Sequence, residues 1–131
     1  MKKIKTSELL GHGLAWAAGI AEGYEMSAYG VTPELRARVP GQGVIAPWNP
    51  TQYYNQAGEI IDREGIGTHR NGKLLYVDNQ KRWEANVTLA LDLPPPRAGF
   101  RALGPTRLIA AMRCFVASRM GDTVEIPEEL L

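Results

Sequence analysis

Apolar and polar positions change period several times along the chain, and each change marks an element. From Leu9 to Ala21 the pattern is helical. At 100° per residue Leu9, Leu10, Gly13, Leu14, Trp16, Ala17, Ile20 and Ala21 fall on one broad arc, and Gly11, Ala15, Ala18, Gly19 and Glu22 on the other, with His12 at the border. Thr6 or Ser7 is the predicted N-cap, Glu8 sits where a negative charge favours the first turn, and Gly23 supplies a left-handed stop. Gly11, Gly13 and Gly19 each cost about 1 kcal/mol in a helix interior, so either another backbone packs close to them or the helix is shorter.

Tyr24 to Tyr29 reads as a short strand, and Arg36–Val39 and Val44–Ala46 as brief edge strands within a Pro- and Gly-rich stretch. A short helix is predicted over Ala57–Glu64, with Ile60 and Ile61 inward and Gly65 as its cap. Asn71-Gly72 predicts a tight hairpin over Ile66–Val77 that pairs Arg70 with Lys73, Thr68 with Leu75 and Ile66 with Val77. Arg82–Asp92 then alternates, with Trp83, Ala85, Val87, Leu89 and Leu91 on the buried face. Pro94-Pro95-Pro96 cannot join a ladder and makes Leu93–Pro105 a crossover loop. A last helix follows Thr106, with Leu108, Ile109, Ala111, Met112, Phe115 and Val116 as its apolar arc and Gly121 as its stop. Thr123–Ile126 is a further edge strand, and Pro127–Leu131 an acidic end.

These elements predict one α+β domain over residues 1–131. It holds an antiparallel sheet of three to five strands with a central meander, and the N- and C-terminal helices pack on one face. A chain of 131 residues buries around two-thirds of its open surface, enough for a core without disulfide or metal support. One Cys and two His exclude a disulfide framework and argue against a structural zinc site. No apolar run reaches the ~20 residues of a membrane span, and Glu8 with Gly11-His12-Gly13 interrupts any signal peptide that Lys2, Lys3 and Lys5 would begin. A cytoplasmic protein with a reduced thiol is expected.

The net charge of +1 is a cancellation. Residues 66–121 carry nine basic and three acidic side chains, for +6, whereas residues 122–131 carry −4. Arg70, Lys73, Lys81, Arg82, Arg97 and Arg101 are therefore candidate nucleic-acid contacts, interleaved with Tyr76, Trp83 and Phe100 for base stacking. The order helix–strands–helix is similar to that of double-stranded RNA-binding domains, but Thr106-Arg107-Leu108 stands where those carry a lysine cluster. The bland alternative is a solvated face partly neutralised by the acidic tail. Trp16 and Trp83 are expected in the core. Trp48, in a Pro-flanked loop with Tyr53 and Tyr54 nearby, is the candidate interaction surface for a host or phage protein or a second copy of the chain.

No catalytic, metal or cofactor set is predicted. Cys114 lies behind the apolar arc with no His near it in sequence, and His12 and His69 lack metal-ligand spacing. Gly11-His12-Gly13 follows no strand and lacks the Lys-Ser/Thr of a phosphate loop. Asp62 and Glu64 point in different directions on their helix, and Glu125, Glu128 and Glu129 read as a solvated tail.

Three blocks carry a resemblance. They are Lys5-Thr6-Ser7-Glu8-Leu9 continuing to Leu14, Trp16 and Ala17; Pro47-Trp48-Asn49-Pro50 followed by Gly58 and Ile60-Ile61; and Gly104-Pro105-Thr106, Leu108-Ile109-Ala110-Ala111-Met112-Arg113, Gly121-Asp122 and Pro127. Together they resemble the NinX-like family of small proteins from tailed phages and prophages, a family of unknown function. Ala15 departs from the family, which often has an acid before the Trp of the first block. The resemblance implies a phage or prophage origin and the cytoplasm of a bacterial host, and it transfers no catalytic residues. The leading expectation is a non-enzymatic module that binds a protein partner. A nucleic-acid-binding accessory protein is the alternative, and a small hydrolase a distant third.

Overall fold

A computed structural model describes residues 1–29, 34–39, 41, 43, 45–71, 81–88 and 99–131. The chain order is β1 (Lys2–Lys5), α1 (Gly11–Ala21), β2 (Glu25–Tyr29), β3 (Glu34–Arg38), β4 (Ile45–Pro47), α2 (Tyr54–Glu64), β5 (Gly67–Arg70), β6 (Trp83–Thr88), β7 (Gly99–Gly104), α3 (Arg107–Met120) and β8 (Thr123–Ile126). Short 3₁₀ turns cover Thr6–Glu8 and Glu128–Leu130. The fold is α+β. Among the described residues the strands pair antiparallel and form three small sheets, β1-β8, β2-β3-β4 and β5-β6-β7.

α3 is the centre of the molecule. Leu108 and every residue from Ala110 to Val116 are buried, so the helix is covered nearly all round, as expected where apolar and small residues occupy every face. It packs on β5, β6 and β7 and also against α1 and α2. Its N-terminus follows the prediction, since the Thr106 hydroxyl accepts from Ile109 N at 3.2 Å. α1 is also covered on more than the predicted arc: Ala15, Ala18 and Gly19 are buried, while Leu10 and Ile20 are exposed. Its principal neighbours are α3, β2, β3 and β8, so the two terminal helices pack on each other, α1 also covering β2 and β3 and α3 covering β5, β6 and β7.

α1 starts later than predicted. Leu10, not Thr6 or Ser7, occupies the N-cap position. Thr6 is engaged elsewhere: its backbone N–H donates to Asp122 O at 2.8 Å and its hydroxyl to Gly121 O at 2.7 Å. The segment between β1 and α1 is thereby tied to the end of α3. β1 itself pairs with β8, with Lys3 opposite Glu125 and Lys5 opposite Thr123. Glu125 near the acidic end thus lies beside Lys3 in the lysine-rich start of the chain.

The predicted edge strands pair as β3 and β4, with Ala37 opposite Ala46. A three-stranded antiparallel meander is present, but its members are β5, β6 and β7. Thr68 faces Ala85, and Ala85 faces Ala102. β5 therefore has β6 as its neighbour where the predicted meander placed Lys73–Val77; that segment, residues 89–92 and the proline run 94–96 lie outside the described residues. Gly65 caps α2 in the left-handed region at φ 66° as expected.

A basic cleft beside the central helix

One charged side chain sits in the otherwise apolar and small run from Leu108 to Val116. Arg113 is only 5% exposed. Its Nε donates to Leu9 O at 2.9 Å and its Nη1 to Leu103 O at 2.8 Å. Two carbonyls from segments far apart in sequence thus hold the guanidinium plane. No carboxylate pairs with it among the described residues, and burial alone pushes its pKa down from the usual guanidinium value.

Arg113 and Ala117, one helical turn apart, line a cleft of about 760 Å³. Lys5, Thr6, Ser7, Glu8 and Leu10 form one wall. Arg101, Ala102 and Leu103 of β7 form another, with Lys81 beside them, and Asp122 and Thr123 close an end. Arg101 is shared: its Nε donates to Glu84 across the ladder, and this bond is the main cause holding the Glu84 carboxyl below the usual range. His69 Nε2 lies 3.3 Å from the other oxygen of Glu84.

Of the six candidate nucleic-acid contacts, the fold brings Lys81 and Arg101 together in this cleft. Arg82 is exposed, and the Arg70 guanidinium sits 5.8 Å from the Trp83 ring centroid. Lys73 and Arg97 lie outside the described residues. Sequence reasoning missed Lys5 and Arg113. The available signal for Arg113 was its isolation within a helix apolar on every side, where a lone cation has to be buried.

The expected aromatic surface needs correction at Trp48, which is 8% exposed. Its indole packs edge-on against Tyr24, with centroids 5.2 Å apart, and its Nε1 donates to Ala15 O. The loop around it is closed by polar bonds. Asn49 Oδ1 accepts from Thr51 N at 3.2 Å, and the Gln56 side chain accepts from Asn49 N and donates to Pro47 O. These bonds satisfy the turn's backbone and let Pro50 and Trp48 be buried. Tyr53 and Tyr54 remain exposed, at 47% and 64%.

Cys114 is fully buried, its Sγ is 3.6 Å from Phe100 O, and burial pushes the thiol pKa up to about 11. His12 is half-buried, and its Nδ1 has no hydrogen-bond partner among the described residues. No described helix is long and apolar enough to cross a membrane.

The sequence profile of one protein family, described as Bacteriophage P22, NinX, matches residues 5–119. That range includes every part of the cleft except Asp122 and Thr123. No curated protein matches the chain significantly.

Proposed function

The chain belongs to the Bacteriophage P22 NinX family, and from that premise we propose that it is a non-enzymatic phage accessory protein that binds a protein partner through the cleft beside α3, in the cytoplasm of a bacterial host. The mixed character of the cleft carries this reading. Cations from Lys5, Lys81 and Arg101 stand beside the acids Glu8 and Asp122, the hydroxyls of Thr6 and Ser7, and the exposed Leu10. Protein interfaces combine apolar, polar and both signs of charge in this way.

A nucleic-acid track has different needs, namely uniform positive charge and stacking aromatics. Among the described residues no aromatic lines the cleft, and two carboxylates stand in it. Catalysis needs an activated nucleophile, and the thiol of Cys114 is buried in its neutral form.

The test is affinity capture with the full chain from phage-infected cells, before and after nuclease treatment. A defined protein retained after nuclease, and lost with Lys5→Glu, is the expected result. Salt-dependent binding of generic DNA or RNA, weakened by Lys81→Ala and Arg82→Ala, would instead establish the nucleic-acid alternative.

A further inference from the structure

We propose that the cleft is a built oxyanion site in which the Arg113 guanidinium receives a carboxylate from an acidic segment of the protein partner. The source of the carboxylate rests on the functional reading above; the site itself does not.

Arginine has five N–H donors in a planar fork. In Arg113 the Nε proton and one Nη1 proton are committed to Leu9 O and Leu103 O, while Nη2 has no protein acceptor among the described residues. One proton on Nη1 and two on Nη2 remain, and an Nη1/Nη2 pair is one of the edges by which a guanidinium meets both oxygens of a carboxylate. Arg113 is among the residues that line the cleft.

Burial makes donors without a protein acceptor costly. Buried guanidinium groups are ordinarily paired with an anion, because backbone carbonyls offset only part of the lost hydration. Glu8 and Asp122 line the same cleft, yet neither forms an ion pair with Arg113. An incoming carboxylate meets a cation that is already oriented and already desolvated, which is the condition under which such a bond is strong. Lys5 and Lys81 flank the opening and favour approach of an acidic chain. The apolar walls at Leu10, Ala102 and Leu103 suit the aliphatic stem of a glutamate better than a bare ion.

Ala117 provides a test that leaves the Arg113 bonds in place. It lies one turn beyond Arg113 on the same face and lines the cleft, so Ala117→Glu supplies a carboxylate from within the chain. The full-length chain is titrated with acetylated, amidated tetraglutamate, with inorganic phosphate, and with chloride at equal ionic strength. The Arg113 Nε–H and the Leu103 and Ala117 amide resonances report binding. Tetraglutamate is expected to shift them saturably and chloride to leave them still. Lys5→Ala and Lys81→Ala each weaken binding about two- to five-fold, as exposed ion pairs do. Ala117→Glu weakens it more than about ten-fold while the variant stays folded and at least as heat-resistant as the parent.

Absence of a saturable shift, or Ala117→Glu binding as well as the parent, overturns the site. Phosphate binding with tetraglutamate inert overturns the carboxylate assignment. A captured protein partner indifferent to Ala117→Glu would overturn the partner as the source of the carboxylate and leave the protein-binding reading standing. Tetraglutamate binding with no partner captured would leave the site standing and overturn the protein-binding reading.

Discussion

The indole Nε1 of Trp48 donates to the backbone carbonyl of Ala15 at 2.9 Å, joining residues 33 apart. Ala15 lies inside α1, where carbonyls already accept an intrahelical bond, so Trp48 supplies a second donor to a satisfied oxygen. The energy of the contact therefore comes mainly from burying the ring against Tyr24. Trp48→Ala is expected to cost about 3–5 kcal/mol in denaturant unfolding, the range for buried large aromatics. Trp48→Phe should cost much less, with about 1 kcal/mol for the lost hydrogen bond. A Trp48→Ala protein as stable as the parent would contradict the burial.

Cys114 has no exposure, and its thiol pKa is raised to about 11 by burial. Both effects suppress the thiolate that reacts with disulfide reagents and alkylators. At about pH 8 the native protein should react far more slowly than denatured protein with a disulfide reagent, and addition of denaturant should release one thiol per chain. Rapid native-state labelling would show that α3 opens locally at low cost.

The parts of the fold that local chemistry determines were legible. Gly65 and Gly121 end their helices, and Thr106 caps α3, because each acts within a turn of its own position. The division into three sheets was not legible. β1 pairs with β8 across almost the whole chain, and no local pattern encodes that partnership. Thr6 illustrates the conflict: its hydroxyl suits a helix cap, but the Gly121 carbonyl claims it. Trp48 misled because flanking prolines ordinarily mark exposed turns, whereas here Asn49 and Gln56 satisfy the turn from within. Arg113 was hidden in a count of basic residues, which treats every arginine as solvated. Trp48 and Gly104, both within the resemblance, sit in close packing.

Glu64 links α2 to α3, accepting from Arg119 Nε at 3.0 Å and from Arg63 Nε at 3.3 Å. Burial pushes its carboxyl up, but the hydrogen bonds from Arg119 and Arg63 outweigh it, and the net shift is downward from 4.5. A carboxylate depressed in the folded state stabilises the fold above its unfolded pKa, and that contribution is lost as pH falls through the lower folded value. Stability should therefore hold from neutral pH down to about 4.5 and decline below it. Glu64→Gln should lower the denaturation midpoint near pH 7 and flatten the acid limb. An acid limb identical in parent and variant would show that the network contributes nothing.

At Gly104 β7 comes tightly against the start of α3. A Cβ added there would lie 2.8 Å from the backbone N of Ala110 and 3.1 Å from its Cα. Backbone inside a helix cannot yield as a side-chain tip can, so Gly104→Ala must move the strand or the helix start. The expected cost is about 1–3 kcal/mol, as for overpacking elsewhere. Shortening the neighbouring side chain with Ile109→Ala removes only the 3.1 Å contact to Ile109 Cγ2, so it should not rescue Gly104→Ala. Trimming Ala110 to Gly should not rescue it either, because the obstructing atoms are backbone. Additive losses in the two double variants are the expected result of denaturant unfolding. Recovery of stability in either would show that a side chain, not the helix backbone, sets the approach of β7.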